Sequence, residues 1–146
     1  MNILPPVEKA KIEKEIGEII DTLIQGCETL DMDMAFGMFA NIPEFIMMST
    51  DGSQVDHDTY VNNNIAYLSD CSAFELITFN GETCVLDENT AIYSWAYQAK
   101  ATLKSGDIDM VDNAGATFVF RKLDGEWKVV YYHEATVPPR RISKGE

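Results

Sequence analysis

The chain has 146 residues, 46% of them hydrophobic, and a formal net charge of −13. That length makes one domain with a sizeable core. The acidity argues against a nucleic-acid ligand, whose phosphates would be repelled, and no run nears the roughly 20 apolar residues of a membrane span.

The opening MNILPPVEKAK lacks the basic-then-apolar layout of an export signal. Cys27, Cys71 and Cys84 stand at no metal-like spacing and read as free thiols in a reducing, cytoplasmic setting. The expected organisation is a single domain over 1–146, with a loose arm at 1–7 and a C-terminal tail at 137–146. Ile12, Ile16, Ile19, Ile20, Leu23, Ile24 and Cys27 recur at helical spacing, which predicts an amphipathic helix from about Val7 to Glu28, with Gly26 near a fraying end. Asp31 or Asp33 caps a short second helix carrying Met34, Ala35, Met38 and Phe39, and Pro43 ends it. Phe45–Thr50 reads as a strand, Asp51-Gly52 as its turn and Gln54-Val55 as the return. Asp56 or Asp58 then caps a third helix over about 59–69.

Strand material follows. One long strand, with a bulge near Asn80-Gly81, covers 73–86, and a second covers 90–103. A two-residue turn at Ser105-Gly106 leads into a third strand at 108–122, and Asp124-Gly125 closes the last hairpin. With both turns regular, Trp95 faces Ala116, Tyr97 faces Ala114 and Ala99 faces Asp112. Phe120 faces Val129, Phe118 faces Tyr131 and Ala116 faces His133. Side chains alternate between sheet faces, so Tyr93, Trp95, Tyr97, Phe118, Phe120, Trp127, Val129, Tyr131 and His133 share an inner face. Thr117, Val119, Val130 and Tyr132 fall outside. Segregated helices and strands give an α+β fold with one curved antiparallel sheet.

This order of elements, ending in F-x-F-R-K-x-D-G-x-W-K-V-V-x-x-H-x-A, resembles the NTF2-like superfamily, with its SnoaL-like and DUF4440-type members the nearest in pattern. The resemblance spans Glu8 to Thr136, with Thr117, Arg121, Asp124, Gly125, Trp127, Val129 and His133 matching the closing hairpin. It implies an NTF2-like (cystatin-like) cone, a sheet wrapped on the long first helix with a pocket at the wide end. It also implies a homodimer through the outer sheet face. The superfamily holds isomerases, dehydratases, cyclases, an association domain and non-catalytic transport factors, so the fold does not choose among them.

Candidate site residues follow from the inner-face register. His133, at the end of the last strand, is either an acid/base group or a core histidine held by a neighbour. Asp112 is either a pocket carboxylate with a raised pKa or a solvated acid beside Asp107 and Asp109. Trp95, Tyr97 and Tyr131 are either pocket lining with hydroxyl donors or ordinary core. His57, Tyr60, Met47 and Asn64 overhang the pocket if the resemblance holds; His57 read alone is an exposed pre-helix residue. No phosphate loop, HExxH, paired CxxC or GxSxG occurs, so neither a cofactor nor a metal is expected. Three functions stay open. One is a cofactor-independent acid/base enzyme acting on a small apolar or carbonyl-bearing molecule. The others are a non-catalytic binding or dimerisation module and a protein-interaction domain.

Overall fold

In the computed structural model, which describes residues 4–145, the apolar stripe of the first helix decides where the sheet goes. Helix α1 (Pro6–Thr29) buries Ile12, Ile16, Ile20, Leu23 and Cys27, so one continuous side of it faces the core. Pro6 sits in the first turn, where a missing N–H costs nothing. The arm expected at 1–7 is therefore helical from Pro6; residues 1–3 lie outside the described residues. Gly26 lies inside the helix rather than at a frayed end. A Cβ there would stand 2.3 Å from the backbone nitrogen of Ala35, so the glycine lets the next helix pack directly on α1. The end is set instead by Leu30, which adopts the left-handed conformation.

Helix α2 (Met32–Phe36) is capped by Asp31, whose Oδ1 accepts from the Met34 N–H at 3.1 Å. Helix α3 (His57–Ser69) is capped by Asp56 accepting from Thr59 at 2.9 Å. Between them, β1 (Ile46–Met48) and β2 (Gln54–Val55) make the small expected hairpin. The long strands are β3 (Cys71–Asp87), β4 (Thr90–Leu103), β5 (Ile108–Leu123) and β6 (Glu126–Thr136). A short β7 (Arg140–Ile142) forms where a free tail was expected, pairing antiparallel with Ile108–Met110. The sheet order is β2-β1-β6-β5-β4-β3, with β7 on β5. The sheet is mixed rather than wholly antiparallel, because β1 runs parallel to β6.

Register is where simple turn counting fails. The Asp124-Gly125 hairpin holds, with φ of 50° and 83°, and Phe120 faces Val129 as expected. Beyond Phe120 a bulge at Val130 shifts the pairing by one, so Phe118 meets Tyr132, Thr117 meets His133 and Ala116 meets Glu134. A one-residue slip exchanges the faces. Tyr132 and Glu134 turn inward; Tyr131 and His133 turn outward. On the other side of β5, the loop holds Lys104 to Gly106, because the Leu103 N–H donates to the Asp107 carbonyl at 2.8 Å. It is one residue longer than expected, so Ala99 faces Val111 rather than Asp112. A second bulge at Asp112–Asn113 absorbs the difference and restores the Trp95–Ala116 and Tyr97–Ala114 pairs.

The core lies between α1 and the concave face. Phe118, Phe120, Val129 and Ile16 are fully buried there. Trp127 closes the narrow end, its Nε1–H donating to Glu15 of α1 at 2.9 Å.

Candidate functional site

At the wide end, the concave face does not close on the helices. A cavity of about 320 Å³ remains, walled by Leu23 and Cys27 of α1, Phe36 of α2, Tyr60 and Asn64 of α3, and Trp95, Tyr97, Phe118 and Tyr132 of the sheet. Ala99, Ala101 and Val111 lie on the same wall and leave room that larger residues would fill. Trp95 and Tyr97 stack at 3.9 Å, and the Trp95 indole N–H donates to Thr78 Oγ1 at 2.9 Å.

The carboxyl group in this apolar space belongs to Glu134. The Tyr132 hydroxyl donates to its Oε2 at 2.9 Å. Burial holds the Glu134 carboxyl above its ordinary pKa, and the bond from Tyr132 only partly opposes this. The hydroxyls of Tyr60 and Tyr97 converge on that of Tyr132. Burial, and then the charge of Glu134, push all three phenols up. Burial also pushes the Cys27 thiol up to about 12, so it stays protonated and is a poor nucleophile.

The mouth is polar. The Tyr67 hydroxyl donates to Asp109 Oδ2 at 2.6 Å, and Arg141 of β7 donates to both oxygens of the same carboxylate. The Arg141 bonds are the first cause holding Asp109 below its ordinary pKa. Thr136 and Pro139 complete the rim. Among the described residues, the lining includes no lysine, arginine or histidine, and no group of three metal-ligating side chains converges anywhere. Chemically, the arrangement offers one carboxyl able to exchange a proton and hydroxyls able to hold an oxygen.

Of the residues expected from sequence, Trp95, Tyr97, Tyr60 and Asn64 line the cavity. His133 does not: it stands on the outer face opposite Thr117 and beside Met48. Tyr131 also faces out, with its hydroxyl 3.9 Å from Met48 Sδ. Asp112 is held by Arg140 at 2.7 Å and 2.9 Å, away from the cavity. Met47 is buried in the core but does not reach the cavity wall. His57 lines a separate surface groove, bonded to Asp58 at 3.0 Å and edge-on to Phe45. Sequence reasoning missed Tyr132, Glu134, Asp109 and Tyr67. In the run Tyr131-Tyr132-His133-Glu134, both alternations place a tyrosine and an ionisable group on one face, and only a bulge decides between them.

A scan against protein families matches residues 12–138 to the calcium/calmodulin dependent protein kinase II association domain. The chain belongs to this association-domain family. A search of curated proteins found no match. Solved structures show the same fold. A provisionally assigned scytalone dehydratase from Novosphingobium aromaticivorans superposes with a TM-score of 0.80 at 10% identity, covering 93% of this chain and 91% of its own. An NTF2-like superfamily protein from Salmonella enterica serovar Typhimurium gives 0.76 at 16%, covering 94% and 99%. A provisionally assigned association domain of the same family from Xanthomonas campestris gives 0.69 at 21%, covering 85% and 86%. This association domain is thus an NTF2-like cone, as its closing hairpin led one to expect. No helix among the described residues is long and apolar enough to cross a membrane.

Proposed function

We propose that the cavity binds a small organic molecule and that Glu134 exchanges a proton with it, without a cofactor. Tyr97 and Tyr132 hold a polar atom of the bound molecule through their hydroxyls. The observation that carries this reading is a half-buried carboxyl set among aromatic rings and bonded to a tyrosine hydroxyl at 2.9 Å. Burial brings such a group towards neutrality, where it can both take and return a proton. Fold neighbours include a provisionally assigned dehydratase and a hexachlorocyclohexane dehydrochlorinase. Loss of water or of hydrogen chloride moves a proton, which agrees with this reading. His133 and Asp112, outside the cavity, take no part in it. Three free cysteines suit a reducing cytoplasm.

The test is a turnover screen on small carbonyl, hydroxyl and halogenated ring compounds. Glu134→Gln is expected to cut any turnover by roughly 10²–10⁴-fold, while His133→Ala leaves it unchanged. Full activity in Glu134→Gln ends the acid/base reading.

A second reading, self-association, is favoured by the family's description and by the outer sheet face. Ile46, Met48, Val119 and Tyr131 form an apolar strip there, with Ile46 36% exposed. Two copies would bury this strip against each other. Sedimentation should show an oligomer that Tyr131→Lys dissociates without loss of helical signal; a monomeric parent chain rules this out.

A further inference from the structure

The cavity combines aromatic surface with an acid and has no matching positive charge. Tyr132 lies 4.8 Å from Phe118 and 5.5 Å from Tyr60 between ring centroids, and Trp95 stacks on Tyr97 at 3.9 Å. The face of an aromatic ring is negative, and it attracts a cation within about 6 Å. Glu134 joins this surface with a neutral hydroxyl as its donor. The second acid, Asp109 at the mouth, is already matched by Arg141. A chain carrying −13 overall adds a field that draws cations towards any opening.

We infer that the cavity takes a small organic cation, an amine with an apolar ring or chain, its ammonium against Glu134 and its body among Trp95, Tyr97 and Phe118. This rests on the proposal that the cavity binds a small molecule, and it names the class. An ammonium gains twice, from the carboxylate and from the ring faces. A carboxylate ligand would meet Glu134 with no cation in the lining to receive it. At about 320 Å³ the space is at the small end of ligand pockets, which run from about 300 to 1,000 Å³. A single-ring amine is therefore a sensible probe.

Binding is also linked to a proton. The ionisable groups that share the cavity with Glu134 are Tyr132 on its own strand, Tyr97 of β4, Tyr60 and Tyr67 of α3, Cys27 of α1 and, at the mouth, Asp109 paired with Arg141. The phenols and the thiol are uncharged near neutral pH, and the charge of Asp109 is already met by Arg141. An ammonium is then the first positive charge Glu134 meets, and the fraction of Glu134 that is protonated gives up its proton when the amine arrives.

Benzylamine, benzyl alcohol and benzoate separate the outcomes, each titrated at pH 6 and followed at the Trp95 indole N–H signal in NMR spectra. Benzylamine is expected to bind at least about tenfold more tightly than benzyl alcohol, with benzoate weakest. Calorimetry in two buffers of different ionisation enthalpy should show proton release with benzylamine and none with the alcohol. Glu134→Gln should bring benzylamine down to the level of the alcohol, while its amide spectrum away from the cavity stays that of the parent and shows that the fold is intact. Glu134→Asp keeps the charge and should keep the amine preference if the glutamine variant fails to fold. Equal or tighter binding of benzyl alcohol by the parent protein overturns the cation class and leaves the pocket reading standing. Failure of all three compounds to move the Trp95 signal overturns both.

Discussion

At the scale of single residues, Glu134 sets function against stability. Its carboxyl is raised above the ordinary value of 4.5 in the folded chain because burial penalises the charge. Folding therefore favours the protonated form. The stability this group allows is fully present below pH 4.5 and is lost as pH rises through the higher folded value. Glu134→Gln removes the titration while keeping shape and polarity. Its melting temperature should exceed that of the parent at pH 8, and the gap should close near pH 4. A constant gap across that range would mean the carboxyl is not desolvated. The same residue shows a limit of sequence reading. Glu134 and His133 are neighbours, both ionisable, and no local preference of either says which one faces the core. The aromatic wall was legible because Trp95, Tyr97 and Phe118 are large and apolar and lie where the β4–β5 pairs come out as the turns predict.

At the scale of elements, the parts fixed by neighbouring residues were readable and the parts fixed by closure of the sheet were not. The stripe of α1, the caps Asp31 and Asp56 and the Asp124-Gly125 turn each depend on residues within a turn or two of one another. The bulge at Val130 depends on distant partners. Its strand pairs with the Phe39 segment at Val129 and with β1 from Tyr131 onward, so the extra residue falls where one neighbour replaces the other. The bulge at Asp112–Asn113 likewise answers a loop one residue longer than the shortest turn. Deleting Val130 should leave Tyr131–Thr136 with their present partners and faces, giving a folded but less stable chain. Inserting one alanine after Val130 should drive Tyr132 and Glu134 outward and His133 inward, and abolish soluble expression. Soluble yield of both variants, with circular dichroism on the deletion variant, checks this; equal behaviour of the two would show that the bulge does not set the faces.

At the scale of the whole molecule, the C-terminal strand is attached beside the opening by charge as well as by backbone. Arg141 holds Asp109, and Arg140 holds Asp112. Asp109 is kept below its ordinary value of 3.8 by Arg141, so its contribution is present above pH 3.8 and is lost as pH falls through the lower folded value. On acid titration the amides of Arg140–Ile142 should lose protection before those of Phe118 and Phe120, and salt should shift the loss upward in pH by screening partly exposed pairs. Simultaneous loss across β5 and β7 would mean that β7 is not a separately held element. The strand was missed in the sequence because Arg140 and Arg141 read as solvated charge; their acidic partners stand some thirty residues earlier.

Helix α1 and strand β7 make their side-chain contacts at opposite poles of the molecule. Glu15 of α1 meets Trp127 at the narrow end, whereas Arg141 of β7 holds Asp109 at the mouth of the cavity. A sensor surface that holds the protein beside Trp127 would leave the opening towards the solution, and one that holds it beside Arg141 would press the opening against the support.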